Sequence, residues 1–133
     1  MSLDVAVLFA NEAFYAAFTG RDFESMQQVW SQRDNITCIH PGWTTLAGHE
    51  AVMDSWRAIL TNPQSPQIRI SRAAALVFGD VAYVVCYEHL GDAVLAATNI
   101  FVREDGWWRL VHHQAGTAPA PAEPDSEEPL LVQ

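Results

Sequence analysis

The chain has 133 residues, half of them apolar, and a net charge of −9. This length fits one domain with a hydrophobic core of its own, and no apolar run approaches the ~20 residues of a membrane span. The negative charge disfavours nucleic acids and anionic membranes as partners, because both bind through a basic patch.

The amino-terminal part of the chain predicts two helices. Apolar residues recur at helical spacing over 3–18, and Ser2 is available as the N-cap of this first helix. After a break at TGRD, Asp22 can cap a short second helix that places Met26 and Trp30 on one face. The segment SQRDN ends this helix.

A strand and a third helix follow. The β-branched run at 36–40 predicts a short strand, which ends at the turn Pro41-Gly42. Beyond Gly48, the spacing of apolar residues predicts a helix, which the proline-containing segment TNPQSP terminates. One face of this helix carries Val52, Trp56, Ile59 and Leu60.

The second half of the chain predicts four long strands. Residues 67–78, 81–90, 93–103 and 107–115 are separated by the turn signals GD, GD and EDG. Helices followed by a run of antiparallel strands indicate an α+β domain, with the helices packed on one face of the sheet.

The last segment of the chain differs in composition from the rest. TAPAPAEPDSEEPLLVQ is rich in proline and acidic residues, which neither join a sheet nor build a core. We therefore predict a single domain over residues 1–118 and a proline-rich acidic tail over 119–133, dispensable for folding.

Two longer stretches carry a family resemblance. CIHPGWTTLAGHEAVMDSW in the middle and TNIFVREDGWWRLVHHQAGTAP near the end, with this order of elements, resemble the SnoaL-like branch of the nuclear transport factor 2-like superfamily. The resemblance covers roughly residues 3–118. It implies a cone of the cystatin-like type, in which a curved antiparallel sheet wraps around a pocket closed by three helices. Members include isomerases, dehydratases, cyclases and assembly domains, so the fold does not fix one activity.

The final strand is also similar to the association domain of calcium/calmodulin-dependent kinase II, which has the form Trp-x-x-Val-His-x-His. Trp108, Val111 and His112 match this form, and Gln114 replaces its second histidine. That domain has an arginine where this chain has Asn99, so the resemblance does not extend to binding an anionic ligand. Ketosteroid isomerase is similar in fold alone, because no aspartate can be placed on the inner face of the sheet.

Side chains alternate along a strand, so each predicted strand has two faces. In the family, the position of Asn99 faces the pocket. The resemblance therefore implies that the following residues line the pocket: His113, Asn99, Tyr83, Tyr87 and Phe101. A one-residue bulge in the last strand would instead bring His112 into the pocket.

The other face of the sheet is the expected dimer interface, as it commonly is in the family. It would carry His112, Gln114 and Glu88. It would also carry a set of apolar side chains too large to leave in water: Val84, Cys86, Ile100, Val102, Trp108 and Leu110. We therefore predict a homodimer.

Two histidines are the candidate catalytic residues. His113 would face inward, and the HPGW turn would bring His40 and Trp43 to the mouth of the pocket. Histidine can donate or accept a proton near neutral pH, and Tyr87 and Asn99 could stabilise an oxyanion. Either histidine could equally be structural. Three aromatic residues of the helical part could line the ligand-binding pocket or simply belong to the core: Tyr15, Trp30 and Trp56.

Metal and cofactor chemistry is not expected. The adjacent residues His112 and His113 point to opposite faces of a strand and cannot chelate one ion. Cys38 and Cys86 form no CxxC motif and lie in apolar runs, which predicts reduced, buried thiols. The chain has no lysine, which excludes Schiff-base chemistry, and it has no Walker-type or GxGxxG loop.

Two functions remain open at this point. The domain could be an enzyme that transfers a proton on a small apolar or aromatic molecule, as an isomerase, dehydratase or cyclase does. It could instead be a non-catalytic module that binds a ligand or assembles with a partner. The start MSLDVAVLFANEAF has no basic region, so we also expect no secretory signal and a cytoplasmic location.

Overall fold

A computed structural model describes residues 2–122 of the chain. It has the predicted α+β architecture, and no helix in this part of the chain is long and apolar enough to cross a membrane. The helices are α1 (Leu3–Thr19), α2 (Phe23–Val29) and α3 (His49–Thr61). The strands are β1 (Thr37–Ile39), β2 (Leu46–Ala47), β3 (Arg69–Phe78), β4 (Val81–Leu90), β5 (Ala93–Glu104) and β6 (Trp107–Thr117).

All six strands belong to one sheet, in the order β2-β1-β6-β5-β4-β3. Neighbouring strands are antiparallel except β1 and β6, which run parallel. The sheet is therefore mixed rather than purely antiparallel. The sequence prediction also missed β2, because a two-residue strand is too short to show alternation.

Local signals place the helices close to their predicted positions. The Asp22 side chain accepts a hydrogen bond from the Ser25 backbone N–H at 3.1 Å and so caps α2. Ser2 precedes α1 without making a side-chain capping bond. Trp30 lies beyond the end of α2, where its extended backbone forms a parallel bridge with Leu110 of β6.

The core lies between the helices and one face of the sheet, which we call the inner face. Helix α1 packs against β3, β4 and β6, and α3 packs against the short strands β1 and β2. The largest fully buried side chains are Trp30, Trp56, Phe14 and Phe101. Burying a side chain of this size contributes about 1.5–3 kcal/mol, so these aromatic groups supply much of the stability.

The turn between β4 and β5 determines which face β4 presents inward. Its two residues, 91 and 92, connect strands whose register pairs Val84 with Asn99 and Cys86 with Ala97. Directly opposite residues share a face. Glu88, two residues further along β4, therefore points inward with Asn99, and it is 2% exposed.

This register corrects the prediction for two tyrosines and one glutamate. Tyr83 and Tyr87, expected to line the pocket, alternate with the buried residues of β4 and lie on the outer face. Glu88, expected on the outer face, lies inside. The prediction failed because it assigned β4 to the wrong phase of the side-chain alternation.

A β-bulge changes the facing within β6. The register with β5 shifts at Val111, which is the extra residue on β6. Before the bulge, Trp108 and Leu110 face inward and are buried. After it, His113 faces inward, paired with Asn99, as the resemblance implies. The expectation that a bulge would bring His112 inside is wrong, because this bulge precedes both histidines and instead turns Trp108 and Leu110 inward.

The outer face therefore differs from the predicted dimer interface. Four members of that predicted set are buried in the core: Val84, Cys86, Trp108 and Leu110. Only Ile100 and Val102 remain on the outer face, where the register adds Leu76, Tyr83, Val85 and Tyr87. The homodimer remains a prediction, with this corrected set of residues.

The predicted tail, 119–133, lies outside the described residues except for 119–122. After β6, the Ala118 backbone N–H donates to the Val94 carbonyl at 3.0 Å. The Arg72 guanidinium donates to the Ala122 carbonyl. These contacts place residues 118–122 beside β5 and β3.

Candidate functional site

Five buried polar side chains lie between α1 and the inner face of the sheet. Helix α1 contributes Asn11 and Tyr15, and strands β4, β5 and β6 contribute Glu88, Asn99 and His113. Each is at most 5% exposed. We call these five residues the polar cluster. Buried polar groups are stable only when they are hydrogen-bonded, so their partners define what the cluster can do.

Asn99 is the central residue of the polar cluster. Its Nδ2 donates to Asn11 Oδ1 at 2.9 Å and to the Tyr15 hydroxyl at 3.1 Å. Its Oδ1 lies 2.5 Å from His113 Nδ1. Because Oδ1 can only accept, His113 carries its proton on Nδ1, and Nε2 of the neutral ring is left with a lone pair.

Glu88 connects the two sides of the polar cluster. The Tyr15 hydroxyl donates to Glu88 Oε2 at 2.6 Å, and His113 Nε2 lies 3.9 Å from the same oxygen. The second distance is too long for a hydrogen bond. His113 Nε2 and the Glu88 carboxyl are therefore close neighbours in the interior, without a hydrogen bond between them.

Burial changes the protonation of both groups. It raises the pKa of Glu88 to about 7, against a smaller opposing effect of the Tyr15 hydrogen bond. It lowers the pKa of His113 to about 3, helped by His40 and His112. Near neutral pH, His113 is uncharged and Glu88 is close to half-protonated, so the two do not form an ion pair.

Aromatic rings enclose the polar cluster. The His113 ring centroid lies 5.0 Å from that of Phe14 and 5.9 Å from that of Trp56. Phe101, two residues after Asn99 on the inner face of β5, is also fully buried. An apolar enclosure of this kind strengthens hydrogen bonds and charge interactions inside it.

A second buried histidine, His40, lies beside His113, with ring centroids 6.4 Å apart, and both rings pack against Trp56. His40 Nε2 lies 2.9 Å from Ser55 Oγ, which itself donates to the Val52 carbonyl at 2.7 Å. Ser55 has a single proton, so His40 is the donor to Ser55. Burial lowers the pKa of His40 to about 4. Trp43 covers this ring at 4.8 Å while remaining 47% exposed.

Two open cavities flank α1. One, of about 460 Å³, lies between α1 and β3, and Asn11 of the polar cluster lines it. The other, of about 670 Å³, lies between α1, α2 and the start of β6, and none of its lining residues belongs to the polar cluster. The first cavity is therefore the one that adjoins the buried polar groups.

The structure brings together most of the predicted site residues. Seven of them are buried in the interior: His113, Asn99, Tyr15, Phe101, Trp56, His40 and Trp30. Trp43 lies at the surface over His40. Tyr83 and Tyr87 do not belong to the site.

Sequence reasoning missed two members of the polar cluster, Glu88 and Asn11. The two-residue turn between β4 and β5 fixes the pairing of these strands, and with Asn99 inside it would have placed Glu88 inside as well. Asn11 lies one helical turn from both Val7 and Tyr15, on the buried face of α1. A polar residue spaced four residues from apolar neighbours on both sides indicates a buried polar group, and this pattern could have identified Asn11.

The cysteines agree with the expectation of buried thiols. Cys38 and Cys86 are both free. Burial raises the pKa of Cys38 to about 12 and that of Cys86 to about 11, so neither is a thiolate near neutral pH. Among residues 2–122, no three metal-ligating side chains come together.

The chain matches one protein-family model and is similar to several solved structures. The model for the SnoaL-like domain matches residues 7–121. A provisionally assigned dehydratase of the nuclear transport factor 2-like family from Streptomyces avermitilis is 32% identical, with a TM-score of 0.78. The similarity covers 86% of this chain and 95% of that protein.

Two other similar proteins are a bacterial association domain and a plant F-box protein. A provisionally assigned association domain of calcium/calmodulin-dependent protein kinase type II from Thiobacillus denitrificans is 31% identical, with a TM-score of 0.71, covering 83% of this chain and 93% of that one. F-box protein SKIP8 of Arabidopsis thaliana is 24% identical over 112 residues, 83% of this chain and 48% of SKIP8. The chain thus spans about half the length of this curated relative.

Proposed function

The chain belongs to the SnoaL-like domain family, and from this premise we propose that it binds a small, largely apolar molecule and transfers a proton on it. The polar cluster supplies the reacting groups. The observation that carries the proposal is the buried carboxyl of Glu88, which accepts a hydrogen bond from Tyr15. Burial raises the pKa of Glu88 to about 7. A carboxyl with this pKa can take up and release a proton near neutral pH.

The hydrogen bonds suggest a role for each group. Ionised Glu88 removes a proton from a carbon atom next to a substrate carbonyl. Once protonated, Glu88 no longer needs the Tyr15 hydroxyl as a donor, and Tyr15 becomes available to the carbonyl oxygen as negative charge develops there. Asn99, oriented by His113 and Asn11, donates to the Tyr15 hydroxyl and so supports Tyr15 as that donor.

The proton on Glu88 then has two possible destinations. Returned to another carbon of the same molecule, it completes an isomerisation. Delivered to a hydroxyl group that leaves as water, it completes a dehydration. The similarity to a provisionally assigned dehydratase supports the second. The ring of His113, whose pKa burial lowers to about 3, stays neutral through these steps and orients Asn99. His40, whose ring centroid lies 6.4 Å from that of His113, remains a further candidate acid or base.

The second candidate function is a non-catalytic module that holds a ligand or assembles with a partner. The similarity to a provisionally assigned association domain favours it. In that case the polar cluster only fixes the interior, and the outer face of the sheet forms a homodimer. Two free, buried thiols suit a reducing compartment such as the cytoplasm under either function.

Proton exchange on carbon tests the first function directly. Small ketones and β-hydroxy carbonyl compounds are incubated with the protein in deuterated water, and NMR follows deuterium entering next to the carbonyl. We expect exchange with at least one compound and a loss of about 10²–10⁴-fold in Glu88→Gln, the usual contribution of a general acid or base.

Gln114→Ala is the matched control, since Gln114 is exposed on β6 beside the polar cluster's own His113. It should exchange at the wild-type rate. Full activity in Glu88→Gln would rule out Glu88 as the base. A protein that exchanges none of the compounds but retains a ligand through purification would support the non-catalytic module.

A further inference from the structure

The cavity between α1 and β3 has the size and wall of a small-molecule site. Its volume of about 460 Å³ lies within the range of about 300–1,000 Å³ that such sites occupy. Its apolar wall is formed by Val5, Leu8, Phe9, Ile70 and Ala73. Phe9 is 60% exposed, so the apolar portion of a ligand would cover surface that now faces water.

Arg72 lies on the rim of this cavity in an unusual backbone conformation. It belongs to a β-bulge between Ser71 and Ala74, and its φ is 58°, in the left-handed region that few residues other than glycine adopt. Such a conformation costs of order 1–3 kcal/mol. Bulges redirect side chains and are common next to binding sites. Here the bulge places a guanidinium beside an apolar cavity.

The guanidinium of Arg72 is held by a weak partner. It donates to the Ala122 carbonyl, which is neutral. Within residues 2–122, the arginines that form ion pairs are Arg33 and Arg103. A carboxylate can take two parallel bonds from a guanidinium, each about twice as strong as a bond to a neutral acceptor. A ligand carboxylate could therefore displace the Ala122 carbonyl.

The remaining polar groups of the cavity limit the ligand to a single negative charge. Ser71 Oγ is already bonded to His89 Nε2 at 2.8 Å. Asn11 Oδ1 accepts from Asn99, while Asn11 Nδ2 has no hydrogen-bond partner among the described residues and is a neutral donor. Glu12 lines the cavity and would repel a second anionic group. We propose that this cavity binds a small monocarboxylate with an apolar tail, anchored by Arg72. The proposal concerns binding alone and does not depend on the proton transfer proposed above.

Hexanoate and hexanamide are a matched pair of probes, because they have the same apolar tail and differ in charge. Affinity is measured by calorimetry or NMR titration on the full chain. We expect hexanoate to bind at least tenfold more tightly than hexanamide, and Arg72→Gln to weaken hexanoate at least tenfold. Glu12→Gln should tighten it, because a like charge is removed. Arg69→Gln is the control, an exposed arginine on β3 that does not line the cavity.

Three results would overturn the proposal. The first is equal affinity for hexanoate and hexanamide, and the second is unchanged hexanoate affinity in Arg72→Gln. The third is hexanoate binding that appears only after the acidic residues that follow Ala122 are changed to amides: Glu123, Asp125, Glu127 and Glu128. That result would mean that the chain's own carboxylates occupy the site. No turnover is measured, so the outcome does not decide the proposed proton chemistry.

Discussion

Each face of the sheet carries some residues that polarity alone would assign to the other face. The inner face, in the core, holds a glutamate, an asparagine and a histidine, Glu88, Asn99 and His113, each at most 2% exposed. The outer face holds Val85, which is 38% exposed, and Tyr83, which is partly exposed. Turn length and bulge position decide which side chains point inward, and polar groups can follow them into the core when each finds a partner.

The inner face depends on hydrogen bonds between buried side chains, and the outer face does not. Asn99 alone bonds three side chains of the polar cluster. Removing one member of a buried network leaves its partners without hydrogen bonds, which is costly in a low-dielectric interior. An outer-face substitution affects the monomer little, because its side chain already contacts water. The predictions below use this contrast.

The largest effect is expected for Asn99→Leu. Leucine has nearly the same size, but it leaves the Nδ1–H of His113 and the Oδ1 of Asn11 buried without partners. At about 1–3 kcal/mol for each unpaired group, the free energy of unfolding should fall by about 4 kcal/mol. Urea unfolding at neutral pH measures the loss.

The control for this variant lies next to it on the same strand. Thr98 is on the outer face, and Thr98→Val should change the free energy of unfolding by no more than about 0.5 kcal/mol. A loss below about 1 kcal/mol in Asn99→Leu, or equal losses in both variants, would contradict the contrast between the faces.

A somewhat smaller effect, visible only as a function of pH, is expected for Glu88→Gln. The folded protein keeps the Glu88 proton up to a pKa of about 7, against 4.5 for an ordinary glutamate. Unfolding therefore releases a proton between these values, and the wild type loses stability as the pH rises through this window. Relative to Glu88→Gln, the loss should be on the order of 3 kcal/mol between pH 4.5 and 7.

Denaturant unfolding of both proteins across this pH range measures that difference. Comparing the two proteins removes the contributions of the histidines, because both retain them. The folded-state pKa values of His113 and His40 are lowered, so these two groups cost stability as the pH falls below 6.5. Parallel pH curves for wild type and Glu88→Gln would show that the pKa of Glu88 is not raised.

The smallest effect on the monomer is expected on the outer face. Val85 lies between Ala74 and Thr98 on the neighbouring strands, at the centre of the corrected dimer face. Val85→Arg should dissociate the predicted homodimer while changing monomer stability by about 0.5 kcal/mol or less. Light scattering at micromolar concentration is the measurement. A wild-type protein that is already monomeric there would remove the basis for the dimer.

Much of the fold followed from local signals in the sequence. The apolar spacing of α1 and α3, the cap at Asp22 and the turns between the long strands all predicted elements that are present. These signals work because they depend on neighbouring residues alone. The end of α2 at Val29 did not follow, because Trp30 pairs with a strand distant in sequence.

The site was predicted less completely than the fold. The family resemblance identified the inward positions of Asn99 and His113. Uninterrupted alternation along β6 would have placed Trp108 and Leu110 outside, where the bulge instead turns them inward. The prediction placed Glu88 on the wrong face, although the two-residue turn at 91 and 92 pairs β4 with β5 so that Glu88 and Asn99 share the inner face. A charged residue is also usually exposed, which favoured the outer face for Glu88. The partners of each group depend on α1, which approaches the sheet from elsewhere in the chain.

The extra residue at Val111 has a consequence for comparing this protein with its relatives. An ungapped alignment of β6 with a strand that lacks the bulge would match one half of the strand correctly and shift the other half by one position. Inward residues would then be equated with outward ones, and His112 would be read as the counterpart of a pocket residue. Placing a one-residue gap at Val111 keeps His113 aligned with the inward positions of such relatives.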